Sequence, residues 1–265
     1  MSDRHPACYT VLDRPEVLSV LFHPRRQHPW VETTPGCQEV LIPVEDGIKI
    51  GGRFYLINHG VATILFFHGN GEIAADYDEL GPLYNQMGIN FLVVDYRGYG
   101  CSDGTPTVTT MLNDCHKILD YVTQFLSRNK VTSPLVIMGR SLGSASALEL
   151  AYKHSSTIAG LIIESGFAYA GPLLQLLGIS PENIGFKEDQ GFGNLDKIKM
   201  FTNPTLIIHA EFDHIIPFSD GEKLFETSPA AQKTLLKIPH ANHNDIFAQG
   251  LKQYMSAIKD LMLHI

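Results

Sequence analysis

The sequence predicts an α/β protein: a mainly parallel, doubly wound sheet with an antiparallel N-terminal edge. Three observations carry this expectation. Runs such as residues 62–67 and 90–96 are of strand length and apolar throughout, as strands buried on both faces require. They alternate with longer segments of helical spacing, the pattern of helices covering both faces of a parallel sheet. Ahead of them, two strand-like runs flank Glu45-Asp46-Gly47, a hairpin signal.

Taken in order, residues 1–38 are irregular and rich in Pro and His, and read as an extended lead-in with one short helix over 15–22. Residues 39–265 read as the main domain. Strands are expected over 39–44 and 48–57, followed by a turn at Asn58-His59-Gly60 and a buried strand over 62–67. Residues 73–87 have helical spacing, and 90–96 a strand. Residues 109–129 form an amphipathic helix with Met111, Cys115, Ile118, Leu119, Val122 and Leu126 on its apolar side. Residues 135–138 are a strand, with a helix from 142 to 154. Further strands follow over 158–163, 205–209 and 234–238, and a helix over 245–263 closes the chain. One connection, residues 166–201, is longer than a usual crossover and holds several leucines. It reads either as a short cap or lid insertion or as a packed crossover helix.

Composition narrows the function classes. The 265 residues carry a net charge of −8, which argues against nucleic acid as a partner, because phosphate neutralisation needs clustered Lys and Arg. No apolar run exceeds strand length, so no membrane span is expected. The four cysteines, Cys8, Cys37, Cys101 and Cys115, include no C-x-x-C and read as free thiols of a cytoplasmic protein. Cys8 lacks a flanking anchor that would favour acylation.

The chemistry centres on Gly139-Arg140-Ser141-Leu142-Gly143, a G-x-S-x-G that closes an apolar strand and opens a helix. Such a turn brings two backbones close, which is why it needs glycine, and lifts the serine hydroxyl above the sheet. A serine needs a base in hydrogen-bond reach, and the base needs an acid to hold its tautomer. In doubly wound sheets these groups gather at the C-terminal ends of the strands. Asp213 and Glu164 are the acid candidates there, Asp213 favoured by its turn-like setting and by the order Ser, acid, His. His240 and His243 are the candidate bases, the second lying closer to the expected helix start. The oxyanion requires two N–H donors. Leu142 supplies one, and Asn70 in His68-Gly69-Asn70-Gly71-Glu72 is the choice for the other.

Rival readings lack essential residues. The Asn70 loop has no Lys-Ser/Thr after its glycines, as a phosphate cradle would. The stretch 98–104 lacks the third glycine of a dinucleotide loop and reads as a turn bordering the site. His209, Glu211, Asp213, His214, His240 and His243 show no metal-ligand spacing, so neither a metal nor another cofactor is expected.

These motifs together resemble the α/β-hydrolase superfamily. In its order stand Phe67-His68-Gly69-Asn70-Gly71, then Asp95-Tyr96-Arg97-Gly98-Tyr99-Gly100, then Gly139 to Gly143, then Asp213 and His243. Within it the first two motifs resemble the branch of compact serine hydrolases that includes esterases, thioesterases and peptidases. The resemblance implies Ser141 as nucleophile, His243 as base, Asp213 as acid, and the Asn70 and Leu142 amides as the oxyanion hole. It implies hydrolysis of a small-molecule ester or thioester. A peptide or C–C bond hydrolase, and a ligand-binding relative without catalysis, are the alternatives.

Overall fold

The structure is a computed structural model and describes residues 9–27, 36–57, 60–129 and 133–265. Cys8 and the turn residues Asn58 and His59 lie outside the described residues.

The chain builds an eight-stranded sheet. In chain order its strands are β1 (Cys37–Glu45), β2 (Ile48–Tyr55), β3 (Thr63–Phe67), β4 (Asn90–Val94), β5 (Leu135–Arg140), β6 (Gly160–Glu164), β7 (Thr205–Ala210) and β8 (Lys233–Ile238). In space they run β1-β2-β4-β3-β5-β6-β7-β8. The β1–β2 and β2–β4 pairs are antiparallel and the rest parallel, so the hairpin at Asp46-Gly47 forms the expected antiparallel edge. From β3 the chain steps to β4 on one side and then crosses to β5 on the other. Strand order reverses there, and the helical connections diverge to leave a crevice beyond the C-terminal ends of β3 and β5.

The two faces of the sheet build two cores, as a strand period of two dictates. Leu65 and Phe67 of β3 face one cluster, whereas Ile64 and Phe66 face the other. The first is covered by α3 (Val108–Arg128), α4 (Gly143–Lys153), α6 (Asn194–Ile198) and α7 (Phe218–Thr227). The second is covered by α2 (Gly81–Gln86) and α8 (Ile246–Met262). The expected apolar side of α3 is its buried side, Met111 to Leu126.

Two segments depart from the sequence reading. Residues 73–87 are not one helix but a 3-10 turn at Ala74–Tyr77 followed by α2. Pro82 is the reason, because it lacks an N–H and belongs in the first turn of a new helix. Residues 9–27, within the expected extended lead-in, hold the short helix α1 (Pro15–Leu21) and pack onto the main domain. Tyr9, Leu12, Val17, Leu21 and Phe22 are buried in the first core, and Arg26 bridges to Gly100. Residues 166–201 fold into α5 (Ala170–Leu176), a 3-10 turn at Glu188–Gln190 and α6.

Candidate active site

Ser141 follows β5 directly and has a left-handed backbone, φ 51°. A non-glycine residue there is strained, and the packing on both sides enforces it. A Cβ on Gly139 would collide with the Gly143 carbonyl, and one on Gly143 with the Phe67 carbonyl of β3. The turn is therefore tight only because both positions are glycine. It aims the Ser141 hydroxyl above the sheet, at the N-terminus of α4.

His243 and Asp213 converge on that hydroxyl from the loops after β8 and β7. His243 Nε2 lies 3.1 Å from Ser141 Oγ, and His243 Nδ1 lies 2.7 Å from Asp213 Oδ2. The other Asp213 oxygen accepts the N–H groups of Ile215 at 3.0 Å and Ile216 at 2.8 Å. Burial alone would raise the Asp213 carboxyl, but His243 and these two N–H groups outweigh it and hold the group below its ordinary range. An ionised Asp213 makes Nδ1 the protonated ring nitrogen and leaves the Nε2 lone pair towards Ser141. Beneath Asp213, His209 is fully buried, with Nε2 2.8 Å from the Ile216 carbonyl, and packs against the loop that carries Asp213.

The structure does not bring Glu164 to the imidazole. Its Oε1 accepts from Arg140 Nη1 at 2.7 Å and its Oε2 from Tyr254 at 2.6 Å. Burial pushes this carboxyl up despite the guanidinium. His240 is likewise apart: it is exposed, with its backbone N–H on Glu211 at 2.9 Å.

The backbone N–H groups of Asn70 and Leu142 have no acceptor among the described residues. Leu142 caps α4, where the helix dipole favours negative charge. The Asn70 side chain is held firmly. Its Oδ1 accepts the His23 backbone N–H and the Tyr99 hydroxyl, each at 2.8 Å, and its Nδ2 lies 2.8 Å from His23 Nδ1. The 98–104 turn thus borders the site through Tyr99. Among the described residues no cluster of His, Cys, Asp and Glu is placed to hold a metal ion.

Sequence reasoning missed Arg140 as a structural hub. Its guanidinium is buried and reaches Glu72 Oε1 at 2.7 Å, Glu164 Oε1 at 2.7 Å and the His243 carbonyl at 2.8 Å. Glu72 in turn accepts the Gly69 N–H at 2.6 Å and the Tyr77 hydroxyl at 2.7 Å. Burial would raise the Glu72 carboxyl, but Arg140 lowers it to about 2. One side chain thus joins the Asn70 loop, the serine turn and the histidine loop. A charged residue at the end of an all-apolar strand was its only sequence signal. Leu21 had none: it comes from α1, about 120 residues before Ser141, and lines the same cleft.

A family model described as serine aminopeptidase, S33, matches residues 58–180. The uncharacterized protein YfhR of Salmonella typhi is 26% identical over 248 residues, covering 88% of this chain and 82% of that one. Alpha/beta hydrolase domain-containing protein 17C of Mus musculus is 31% identical over 209 residues, which are 76% of this chain and 60% of that relative's length. Among solved structures, the esterase Pf2001 of Pyrococcus furiosus superposes with a TM-score of 0.72 at 18% identity, covering 91% of this chain and 98% of that one. Strand order, the strained serine after β5 and these similarities agree: the chain has the α/β-hydrolase fold and is similar to members of that superfamily, and hydrolysis is the activity class these similarities support.

Proposed function

We propose that the chain is a serine hydrolase that cleaves a carboxylic ester or thioester through an acyl-enzyme. The observation that carries this reading is the continuous hydrogen-bonded line from Asp213 through His243 to Ser141, at 2.7 and 3.1 Å. Ser141 Oγ attacks the carbonyl carbon as its proton passes to His243 Nε2. The carbonyl oxygen becomes an oxyanion held by the Asn70 and Leu142 N–H groups. Collapse expels the alcohol or thiol, which takes the proton from His243, and leaves Ser141 acylated. Water then gives its proton to His243 and attacks the acyl carbon, and the reverse transfer frees Ser141 and the acid. Asp213 keeps the ring oriented throughout.

A fluorophosphonate probe should label Ser141, and Ser141→Ala should abolish both labelling and turnover of p-nitrophenyl acetate. A wild-type protein that is neither labelled nor active on any short ester refutes the reading. A peptidase is the second reading, favoured by the description of the matching family model. Against it, the Glu72 carboxylate in the cleft is taken up by Arg140, Gly69 and Tyr77, so it is not free for a substrate ammonium group. Faster cleavage of aminoacyl anilides than of esters would reverse that order. The free thiols of Cys37, Cys101 and Cys115 support a cytoplasmic location, and no helix among the described residues is long and apolar enough to cross a membrane.

A further inference from the structure

The cleft over Ser141 has a size and a lining that select among acyl groups. It offers about 160 Å³ of space, and Leu21, Leu142, Leu173, Leu177 and Ile215 form its apolar wall. Leu173 and Leu177 lie four residues apart at α5 and so share one helical face. The charged side chains on the wall are already engaged, Arg140 with Glu72 and Glu164, and Glu72 with Gly69 and Tyr77. A charged acyl group would enter without a counter-charge, which a site this apolar disfavours. For scale, an apolar cavity of about 150 Å³ holds benzene, six carbon atoms.

We propose that the cleft takes an uncharged acyl chain of about six carbons, and that Leu21, Leu173 and Leu177 set its length. The inference rests on the serine hydrolase reading and names its substrate class. Leu21 makes the N-terminal segment part of the site. That segment is fastened at the cleft by His23 on Asn70 and Tyr99 and by Arg25 on Gly71 and Asp76. The wall is therefore built from four separate stretches: α1, the start of α4, the α5 region and the loop after β7 that carries Ile215.

The test is a series of p-nitrophenyl esters from acetate to palmitate, each below its micelle-forming concentration. Each methylene buried in an apolar wall strengthens binding about fourfold, so kcat/KM should rise about that much per carbon up to about six and then level or fall. Leu177→Trp should lower the hexanoate-to-acetate ratio about tenfold, and Leu21→Ala should move the optimum about two carbons longer. Leu21 is buried, so Leu173→Ala, at a half-buried position, provides a second enlargement with the same expected direction. A flat profile, an optimum at palmitate, or ratios unchanged in Leu177→Trp and Leu173→Ala overturn the inference while acetate turnover keeps the serine hydrolase reading. Inactivity on every ester, acetate included, overturns both.

Discussion

Arg140 stands one residue before Ser141 and makes three hydrogen bonds of 2.7–2.8 Å in a buried setting. It touches none of the reacting atoms in the proposed mechanism and acts as a positioning residue. Arg140→Met leaves Glu72 and Glu164 without their cation, and removing one partner of a buried ion pair costs about 3–5 kcal/mol. Arg140→Lys keeps the charge but not the planar fork that spans three acceptors, so it should lose less stability and still lower kcat. Urea denaturation alongside ester kinetics checks both. Equal stability of Arg140→Met and wild type would mean that the network carries no weight. At the proposed acid, Asp213→Asn preserves shape but offers an amide to Nδ1, which stabilises the wrong tautomer. A fall in kcat of about 10³–10⁴-fold is expected, with KM little changed. Glu164→Gln tests the other carboxylate: its expected effect is on unfolding through the Arg140 and Tyr254 contacts, and a comparable loss of kcat would reverse the acid assignment.

At the scale of elements, the serine turn depends on how closely α4 approaches β3. The approach is closest at Gly143, where the Phe67 backbone leaves no room for a Cβ. Gly143→Ala must push α4 away from the sheet, at a cost of about 3 kcal/mol in unfolding free energy. It also displaces the Leu142 N–H, so activity should fall further than stability explains. Thermal unfolding and acetate turnover measure the two effects, and wild-type values for both would contradict the contact. The Asn70 loop is held from the opposite side. Tyr99 donates to Asn70 at 2.8 Å and accepts from the His23 N–H at 2.7 Å. Tyr99→Phe removes both bonds and should cost about 1–2 kcal/mol, with a drop in kcat if the loop carries an oxyanion donor.

Across the whole molecule, the Arg140 network spans both layers of the fold. Tyr77 and Tyr254 belong to the core under α2 and α8, while Ser141 opens the helix that covers the opposite face. This coupling gives stability a pH dependence of known sign. Glu72 titrates at about 2 in the folded chain, below its unfolded value. Its contribution is therefore complete above the ordinary carboxylate range and is lost as the pH falls towards 2. Glu164 is displaced upwards and has the opposite sign, its protonated form being favoured by folding. Comparing Glu72→Gln with wild type isolates the first effect. The gap between their urea midpoints should be widest near neutral pH and narrow as the pH falls to about 3. A gap that stays constant over this range would show that Glu72 is not held as an ionised partner of Arg140.

The sequence by itself determined the sheet, the antiparallel edge and the position of the serine turn. Each is a local pattern: apolar runs of strand length, a hairpin pair at Asp46-Gly47, and glycines two positions either side of Ser141. It also nominated Asp213 and His243, because the ends of parallel strands gather at one edge and few acids and histidines stand there. Only the tertiary structure decided how those groups meet. Asp213 reaches His243 while Glu164 turns to Arg140 and Tyr254, because adjacent parallel strands end side by side and side-chain direction, not sequence order, assigns the partners. The split of residues 73–87 at Pro82 was legible in the residues themselves, but the helical spacing around the proline obscured it. Leu21 was not legible at all. Its role arises from a contact between residues far apart in the chain, and no local pattern encodes which side chain will close a cleft built by several separate segments.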